Sequence, residues 1–376
     1  MNSNRSHFLT KYALIFIILS GTLLKQAILA QPSKALKNLS DKVVASYLGT
    51  TELNHSIAIG IIDGPYTYQF YYGNISESNL NPPDSSSIFL LGSLSKIITT
   101  SVMAAMAEEQ IIQPSDSITK FLPDSVYSNN PFLSSITFQK LATHTALLPR
   151  TPYNLPATLI EPENTYGNYQ VSDLYLFLKN YRPVSGIFKK NKSKKLFVYS
   201  HTGIGLLAHL LENASGLNFD KLIQRYLSPP LLSNPLTNTG IRLSSNQKNR
   251  LLPGHLFSGK QAFSNSFASM YGSEGVYSSL PDMLTFVRAC MSKSVFTPAL
   301  QPLFNTQMPD VKVGWGWYVI LNGKRQPVIY THSGKTSGYS NYLAFEKERE
   351  VAVVVLSNSD NRIDKIGIDL LDLLLR

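Results

Sequence analysis

Residues 88–100 read Ile88-Phe89-Leu90-Leu91-Gly92-Ser93-Leu94-Ser95-Lys96-Ile97-Ile98-Thr99-Thr100. An apolar run ends at a glycine, and a serine then opens a helix-forming apolar segment. Positions i and i+3 share one face of a helix, so Ser93 and Lys96 should point into the same cavity. A neutral amine beside a serine can take the hydroxyl proton during nucleophilic attack. The stretch therefore predicts an activated serine nucleophile of the kind used in acyl transfer.

The S-x-x-K spacing alone is not specific. It recurs at residues 117–120 and 245–248. Ser117 follows an Asp-containing turn and Ser245 lies in a polar stretch, and neither has a glycine before it or a long apolar helix after it. Ser93 is therefore the candidate among the three.

The composition is that of a globular protein. The chain has 376 residues, of which 43% are hydrophobic and 15% charged, which allows one large domain or two smaller ones with a sizeable core. The single cysteine, Cys290, lies in an apolar helical pattern. We expect a buried, inert thiol there, and one cysteine cannot form an internal disulfide.

The formal net charge is +10, and much of it comes from the run Lys189-Lys190-Asn191-Lys192-Ser193-Lys194-Lys195. Such a run is typical of a solvated loop. The functional alternative is association with an anionic surface such as a cell envelope. The chain shows no nucleic-acid-binding motif, so we expect no nucleic-acid partner.

The first 30 residues have the layout of a secretory signal peptide. Arg5 and Lys11 precede an apolar run over residues 12–19, and small residues follow up to Ala30. This pattern predicts an exported, periplasmic protein with cleavage after Ala30. The run is short for a membrane span, although an uncleaved anchor remains the alternative.

Strand patterns occur at both ends of the chain and helical patterns in the middle. We predict a hairpin from His55 to Tyr72, helices over most of residues 91–304, and C-terminal strands before a last helix, Ile363 to Leu375. The predicted C-terminal strands are Gly316–Leu321, Val328–Thr331, Tyr342–Glu346 and Val351–Leu356.

These elements indicate an α+β fold. Its antiparallel sheet is covered by the first helix (residues 35–48) and the last, and a mainly helical subdomain is inserted. The sheet subdomain should span residues 35–90 and 305–376 of a domain that covers 31–376, and the inserted subdomain 91–304. A site is expected at their junction.

Two further stretches carry reactive side chains. Residues 196–203 contain Tyr199 and His201 before a helical pattern, and residues 330–339 contain His332-Ser333-Gly334-Lys335. The glycines of the second stretch would let the backbone approach a ligand closely.

Serine acylation needs a nucleophile, a base, a proton donor for the leaving atom and two backbone amides for the oxyanion. Ser93 and Lys96 can supply the first two. Tyr199 could move the proton if a nearby ammonium lowers its pKa. The amides of Ser93 and Lys335 could hold the oxyanion, and His332 could hydrogen-bond a substrate carboxylate or the tyrosine.

Other chemistries have less support. The histidine spacing does not match a zinc site, and the sequence contains no Gly-rich phosphate loop, so we expect no metal or cofactor. A Ser-His-Asp triad stays open, although Ser93 lacks the G-x-S-x-G elbow. His144, in a Thr-His-Thr loop, is expected to pin a turn.

Taken in order, these motifs resemble those of the serine β-lactamase and penicillin-binding protein family, in its class C and D-alanyl-D-alanine carboxypeptidase branch. The family carries S-x-x-K, then Y-x-N, then [KH]-[ST]-G. Residues 93–96 are similar to the first motif, Tyr199-Ser200-His201 to the second and His332-Ser333-Gly334 to the third. The similarity extends over about residues 37–376.

Accessory segments also resemble the family. They are Leu141-Ala142-Thr143-His144-Thr145, Gly272-Ser273-Glu274-Gly275-Val276-Tyr277-Ser278-Ser279, Gly314-Trp315-Gly316-Trp317 and Leu356-Ser357-Asn358.

The resemblance implies an acyl-enzyme on Ser93, with Lys96 and Tyr199 handling protons and the Ser93 and Lys335 amides as the oxyanion hole. The substrate would be a β-lactam or a D-alanyl peptide. His201 stands where the family usually has asparagine, and His332 where many lactamases have lysine. Because both histidines differ from the residues usual in the family, an ester substrate remains an alternative, and with it a carboxylesterase activity. A catalytically silent binder of cell-wall peptides is the alternative from another class of function.

Overall fold

The computed structural model describes residues 34–47, 55–155, 166–183, 197–263, 266–321 and 328–376. The predicted signal peptide and the Lys189–Lys195 run lie outside the described residues. Within the described ranges, no helix is both long and apolar enough to cross a membrane.

Residues 34–47 form a helix, α1, in agreement with the helix predicted there. It belongs to one compact unit, residues 1–50, and the remainder of the chain, residues 51–376, forms a second. The predicted boundary between a sheet subdomain and a helical subdomain stays a prediction.

Ten strands are described in the second unit. They are β1 Ser56–Asp63, β2 Tyr66–Gly73, β3 Ile88–Leu90, β4 Tyr277–Ser279, β5 Phe304–Asn305, β6 Val311–Val313, β7 Tyr318–Leu321, β8 Val328–Thr336, β9 Tyr339–Glu346 and β10 Val351–Ser357. Eight of them form one antiparallel sheet in the order β2-β1-β10-β9-β8-β7-β6-β5, and β3 and β4 form a separate pair.

The described helices of this unit lie mostly between β3 and β5, as expected. They are α2 Ser95–Glu108, α3 Asp124–Tyr127, α4 Phe138–Ala142, α5 Val171–Asn180, α6 His201–Ser215, α7 Phe219–Tyr226, α8 Ser245–Lys248, α9 Tyr271–Glu274, α10 Leu280–Ser292 and α11 Asp364–Leu374.

The pairing of β1 with β10 joins the two ends of the unit into one sheet. β1 is buried along almost its whole length because it lies between two strands and is covered on both faces. The prediction of an α+β fold with an antiparallel sheet and helices is therefore confirmed, and so is the hairpin of β1 and β2, which turns at Gly64 with φ of 54°.

Helices cover both faces of this sheet. Gly60 faces α10, where an added Cβ would lie 2.8 Å from Leu284, and Gly367 of α11 packs in the same way against Tyr342 of β9. Gly60 pairs with Val354, which pairs with Leu343. Directly paired residues share a face and neighbours along a strand alternate. The two helices therefore lie on opposite faces.

The buried helix α2 fixes the position of Ser93. Every residue from Ser95 to Met106 is buried, so the protein core encloses this helix on all sides. The hydroxyls of its two threonines donate hydrogen bonds to backbone carbonyls of other segments. Thr99 donates to the Gly272 carbonyl at 2.7 Å and Thr100 to the Trp315 carbonyl at 2.9 Å.

Two C-terminal strands extend well beyond their predicted bounds. The sequence placed the end of one at Thr331, whereas β8 continues to Thr336 and contains all of His332 to Lys335. The other, β9, begins at Tyr339 rather than at the predicted Tyr342. The added residues of the two strands pair with each other, since Thr336 is opposite Tyr339.

Candidate active site

Ser93 and Lys96 meet as predicted. Gly92, with φ of 55°, turns the chain after β3, and a 3₁₀ turn over Gly92–Leu94 leads into α2. The Lys96 Nζ lies 2.9 Å from the Ser93 Oγ and also donates to the Ser273 carbonyl at 2.9 Å. Lys96 is fully buried, and this burial lowers its pKa to about 7. A large fraction of the amine is therefore neutral near neutral pH.

A carboxylate lies beside the same serine. The Oε1 of Glu274 is 3.4 Å from the Ser93 Oγ and 3.1 Å from the Nδ1 of His201. Glu274 is 9% exposed. Glu274 lies in a segment that resembles the family, but its sequence context did not indicate a place in the site.

The short helix α9 holds Glu274 in place. An added Cβ at Gly272 would lie only 2.4 Å from the Cβ of Ala208, so the glycine lets α9 pack tightly against α6. The amide of Val276 donates to the Ser95 Oγ at 3.0 Å, which fixes the chain after α9 against α2. Glu274 thus lies between α6, which carries His201, and the 3₁₀ turn before α2, which carries Ser93.

His201 is the first residue of α6, whose N-cap is Ser200. Burial lowers the pKa of His201 to about 4, so the ring is neutral at physiological pH. Burial raises the pKa of Glu274, but the contact with His201 and the charge of Lys96 outweigh it and lower the pKa overall. Because an ionised carboxylate only accepts hydrogen bonds, we assign the His201 proton to Nδ1. Its Nε2 is buried and has no hydrogen-bond partner among the described residues.

Tyr199 faces this cluster. Its ring lies 5.0 Å from the Lys96 Nζ and 5.3 Å from the guanidinium carbon of Arg150. Burial raises the pKa of Tyr199, against the opposing effect of a hydrogen bond with Ser93. Proton transfer by Tyr199 was predicted on the condition that a nearby ammonium lowers this pKa. The guanidinium of Arg150 does lower the pKa, but the loss of hydration outweighs it. Tyr199 stays a phenol and can donate its proton.

His144 holds the segment that carries Tyr199. Its Nδ1 accepts the Ser200 amide at 3.1 Å, and its carbonyl accepts the Val198 amide at 2.8 Å. The two rings of His144 and Tyr199 are 4.7 Å apart. His144, which was expected to pin a turn, thus also holds the Ser200 amide, a contact that the sequence did not indicate.

The strand β8 packs against the serine turn. A Cβ at Gly334 would lie 2.1 Å from the Leu91 carbonyl oxygen, and one at Gly92 would lie 3.1 Å from the Lys335 nitrogen. The Lys335 amide is therefore close to the turn that carries Ser93. The Ser333 and Lys335 side chains are exposed and alternate with Gly334 along the strand, so they point away from this contact.

His332 lies on the same face as Gly334. It is 2% exposed, and its Nδ1 donates to the Ser333 carbonyl at 2.7 Å. Burial lowers its pKa to about 3, so His332 is neutral. With the proton on Nδ1, its Nε2 is an acceptor, and it has no partner among the described residues.

Arg150 is the other residue that the sequence analysis missed. It is exposed above the Tyr199 ring, and its backbone carbonyl accepts the His201 amide at 2.9 Å. In the described part of the chain, no group of three or more His, Cys, Asp or Glu side chains is arranged to hold a metal ion.

Comparison with known proteins identifies the family. The family model described as Beta-lactamase matches residues 53–375. The chain is 25% identical over 325 residues to the D-alanyl-D-alanine-carboxypeptidase/endopeptidase AmpH of Escherichia coli, covering 81% of this chain and 79% of that protein. It is 24% identical to a β-lactamase of Escherichia coli, covering 81% and 84% of the two chains.

Solved structures share the fold. A class C β-lactamase from Rhodobacter sphaeroides superposes with a TM-score of 0.73 at 20% identity, covering 91% of this chain and 99% of that one. The family match extends over nearly all of the compact unit that carries Ser93, Lys96 and Tyr199. The chain therefore belongs to the β-lactamase family of serine hydrolases, which includes penicillin-binding proteins and D-alanyl-D-alanine carboxypeptidases.

Proposed function

We propose that the chain is an exported hydrolase that forms an acyl-enzyme on Ser93 with a β-lactam or a D-alanyl peptide. The observation that carries this proposal is the 2.9 Å contact between the Ser93 Oγ and the Lys96 Nζ, together with the lowered pKa of the lysine, about 7. A fully buried amine that is largely neutral at physiological pH is a competent base for a serine hydroxyl.

In the proposed acylation, neutral Lys96 takes the proton of Ser93 as the Oγ attacks the substrate carbonyl. The developing oxyanion is held by the Ser93 and Lys335 amides. Tyr199, still protonated because its pKa is raised, donates its proton to the leaving nitrogen and recovers one from Lys96. The net result is the transfer of one proton from Ser93 to the leaving nitrogen through Lys96 and Tyr199.

The names of two relatives support the substrate class. One is named a D-alanyl-D-alanine-carboxypeptidase/endopeptidase and another a β-lactamase, and both names denote cleavage of an amide bond. The leader-like first 30 residues support export, with cleavage after Ala30 and a periplasmic location. The basic composition of Lys189–Lys195 supports association with an anionic cell envelope.

A carboxylesterase is the second candidate, and His332 favours it. Many lactamases have lysine at this position, whereas here a buried histidine is neutral and presents an acceptor nitrogen. With its proton on Nδ1 and donated to the Ser333 carbonyl, the ring has no N–H left for a substrate carboxylate. An ester that lacks a carboxylate needs no hydrogen-bond donor at this position, so the histidine would not weaken its binding.

Three substrates separate these candidates. Purified protein is tested against a chromogenic cephalosporin, a D-alanyl-D-alanine peptide and a short p-nitrophenyl ester, each with Ser93→Ala as the control. Turnover of the cephalosporin or the peptide that Ser93→Ala abolishes supports the proposal. Turnover of the ester alone rejects it in favour of the esterase, and absence of both turnover and covalent labelling would leave a silent binder of cell-wall peptides.

A further inference from the structure

We propose that Glu274 is the general base that activates water for hydrolysis of the acyl-enzyme, with His201 as its positioning residue. This inference rests on the proposed acyl-enzyme on Ser93. Glu274 touches the reacting atom directly, since its Oε1 lies 3.4 Å from the Ser93 Oγ. A base for deacylation must reach a water molecule beside that oxygen.

The two basic groups at Ser93 differ in their access to water. Lys96 has no exposed surface and is held by the Ser273 carbonyl, whereas Glu274 is 9% exposed. The carboxylate is therefore the basic group that a water entering the site can meet. Lys96 is therefore placed to act in acylation and Glu274 in deacylation.

His201 keeps the carboxylate ionised and oriented. Its Nδ1 donates to the Oε1 at 3.1 Å, and its backbone amide is anchored on the Arg150 carbonyl. A neutral donor on one carboxylate oxygen favours the charged form without adding a cation. The histidine found where the family usually has asparagine thus has a partner in Glu274.

The proposed step balances. A water oxygen attacks the acyl carbonyl carbon while the Glu274 carboxylate takes one of its protons. The tetrahedral intermediate then collapses, and the bond between the acyl carbon and the Ser93 Oγ breaks. Protonated Glu274 returns the proton to that oxygen, which restores Ser93 and Glu274 and releases the carboxylic acid.

Glu274→Gln tests this role because it keeps the size and hydrogen bonding of the side chain and removes its basicity. The control is Glu212→Gln, which changes the other described carboxylate that contacts a histidine, 3.2 Å from the Nδ1 of His209. Glu212 contacts Tyr271 and not Ser93. The melting temperature of each variant reports on its fold.

Acylation and deacylation are measured separately, by the burst and the steady-state rate, with the cephalosporin or ester that acylates Ser93. We expect Glu274→Gln to give a full burst and deacylation slower by at least about 100-fold, the effect typical of a lost general base. Acylation should not slow, because removing this negative charge lowers the pKa of Lys96 further. Glu212→Gln should change neither step.

Glu274→Ala with added formate provides a second readout. Formate should restore part of the deacylation rate if a carboxylate base is what is missing. Unchanged deacylation in Glu274→Gln, or an equal fall in both steps, would overturn the role of Glu274 while leaving the acyl-enzyme intact. Failure of the unmodified protein to acylate at Ser93 with either substrate would instead overturn the proposed function and, with it, this step.

Discussion

The side-chain nitrogen of Lys96 lies 2.9 Å from the side-chain oxygen of Ser93, at the start of a helix in which every residue up to Met106 is buried. The packing of this helix is therefore also what desolvates the lysine. The burial of this helix thus both stabilises the fold and lowers the pKa of the lysine that activates Ser93.

The acylation rate should rise with pH and level off above about pH 7, because burial lowers the pKa of Lys96 to about 7 and only the neutral amine is a base. Single-turnover labelling between pH 5.5 and 9 measures this rate. A flat profile over that range would remove Lys96 from the role of base. Lys96→Arg, which stays charged, should be slower by about 100-fold or more.

His144→Leu should slow acylation by up to about 100-fold, since it removes the acceptor of the Ser200 amide and lets Tyr199 move. The unpaired amide should also cost about 1–3 kcal/mol in the free energy of unfolding. His144→Asn is the matched control. Asparagine offers an acceptor at a similar distance and tolerates the φ of 56°. Equal rates in the two variants would show that the hydrogen bond does not position Tyr199.

Gly334→Ala should destabilise the protein by about 1–3 kcal/mol, because the added methyl group would meet the Leu91 carbonyl oxygen at 2.1 Å. It should also reduce labelling of Ser93 by pushing β8 away from the serine turn. Gly64→Asn is the control, at a turn with φ of 54° and open space around it. Chemical denaturation measures both variants, and a wild-type midpoint for Gly334→Ala would contradict the close packing described here.

Stability should fall as the pH drops from about 6.5 towards 4. Burial lowers the pKa of His201 to about 4 and that of His332 to about 3, so the unfolded chain binds protons in this range that the folded chain does not. Stability therefore rises with pH across this interval and is lost on acidification. Melting temperatures from pH 7.5 to 4.5 measure the effect, and His332→Gln should reduce the slope. A slope identical to wild type in that variant would show that His332 does not contribute.

The sequence predicted the fold well wherever a repeating pattern or a turn residue carried the information. The hairpin of β1 and β2 follows from two β-rich runs around Gly64-Pro65. The pairing of β1 with β10 could be predicted only as a sheet built from both ends of the chain, since no local pattern specifies its register.

The strand β8 shows why a local pattern can mislead. The predicted strand ended at Thr331, and Gly334, a residue that weakens an isolated strand, follows it. In the folded chain the residues up to Thr336 pair with β9, and the same glycine makes room for the Leu91 carbonyl.

Glu274 could not be predicted as a site residue for a different reason. Ser93 and Lys96 are three residues apart, so helix geometry alone brings them together. Glu274 reaches Ser93 across 181 positions of the sequence. A charged residue in the otherwise small and apolar run Gly272 to Val276 was the one available signal. A buried acid in such a run requires a partner, which the structure identifies as His201.

The most direct test of Ser93 as the nucleophile is covalent labelling by a fluorescent penicillin, followed by mass spectrometry of the labelled peptide. We expect one adduct per chain on Ser93, and its loss in Ser93→Ala with the fold retained. An adduct that persists in Ser93→Ala, or that lies on another residue, would contradict this role of Ser93.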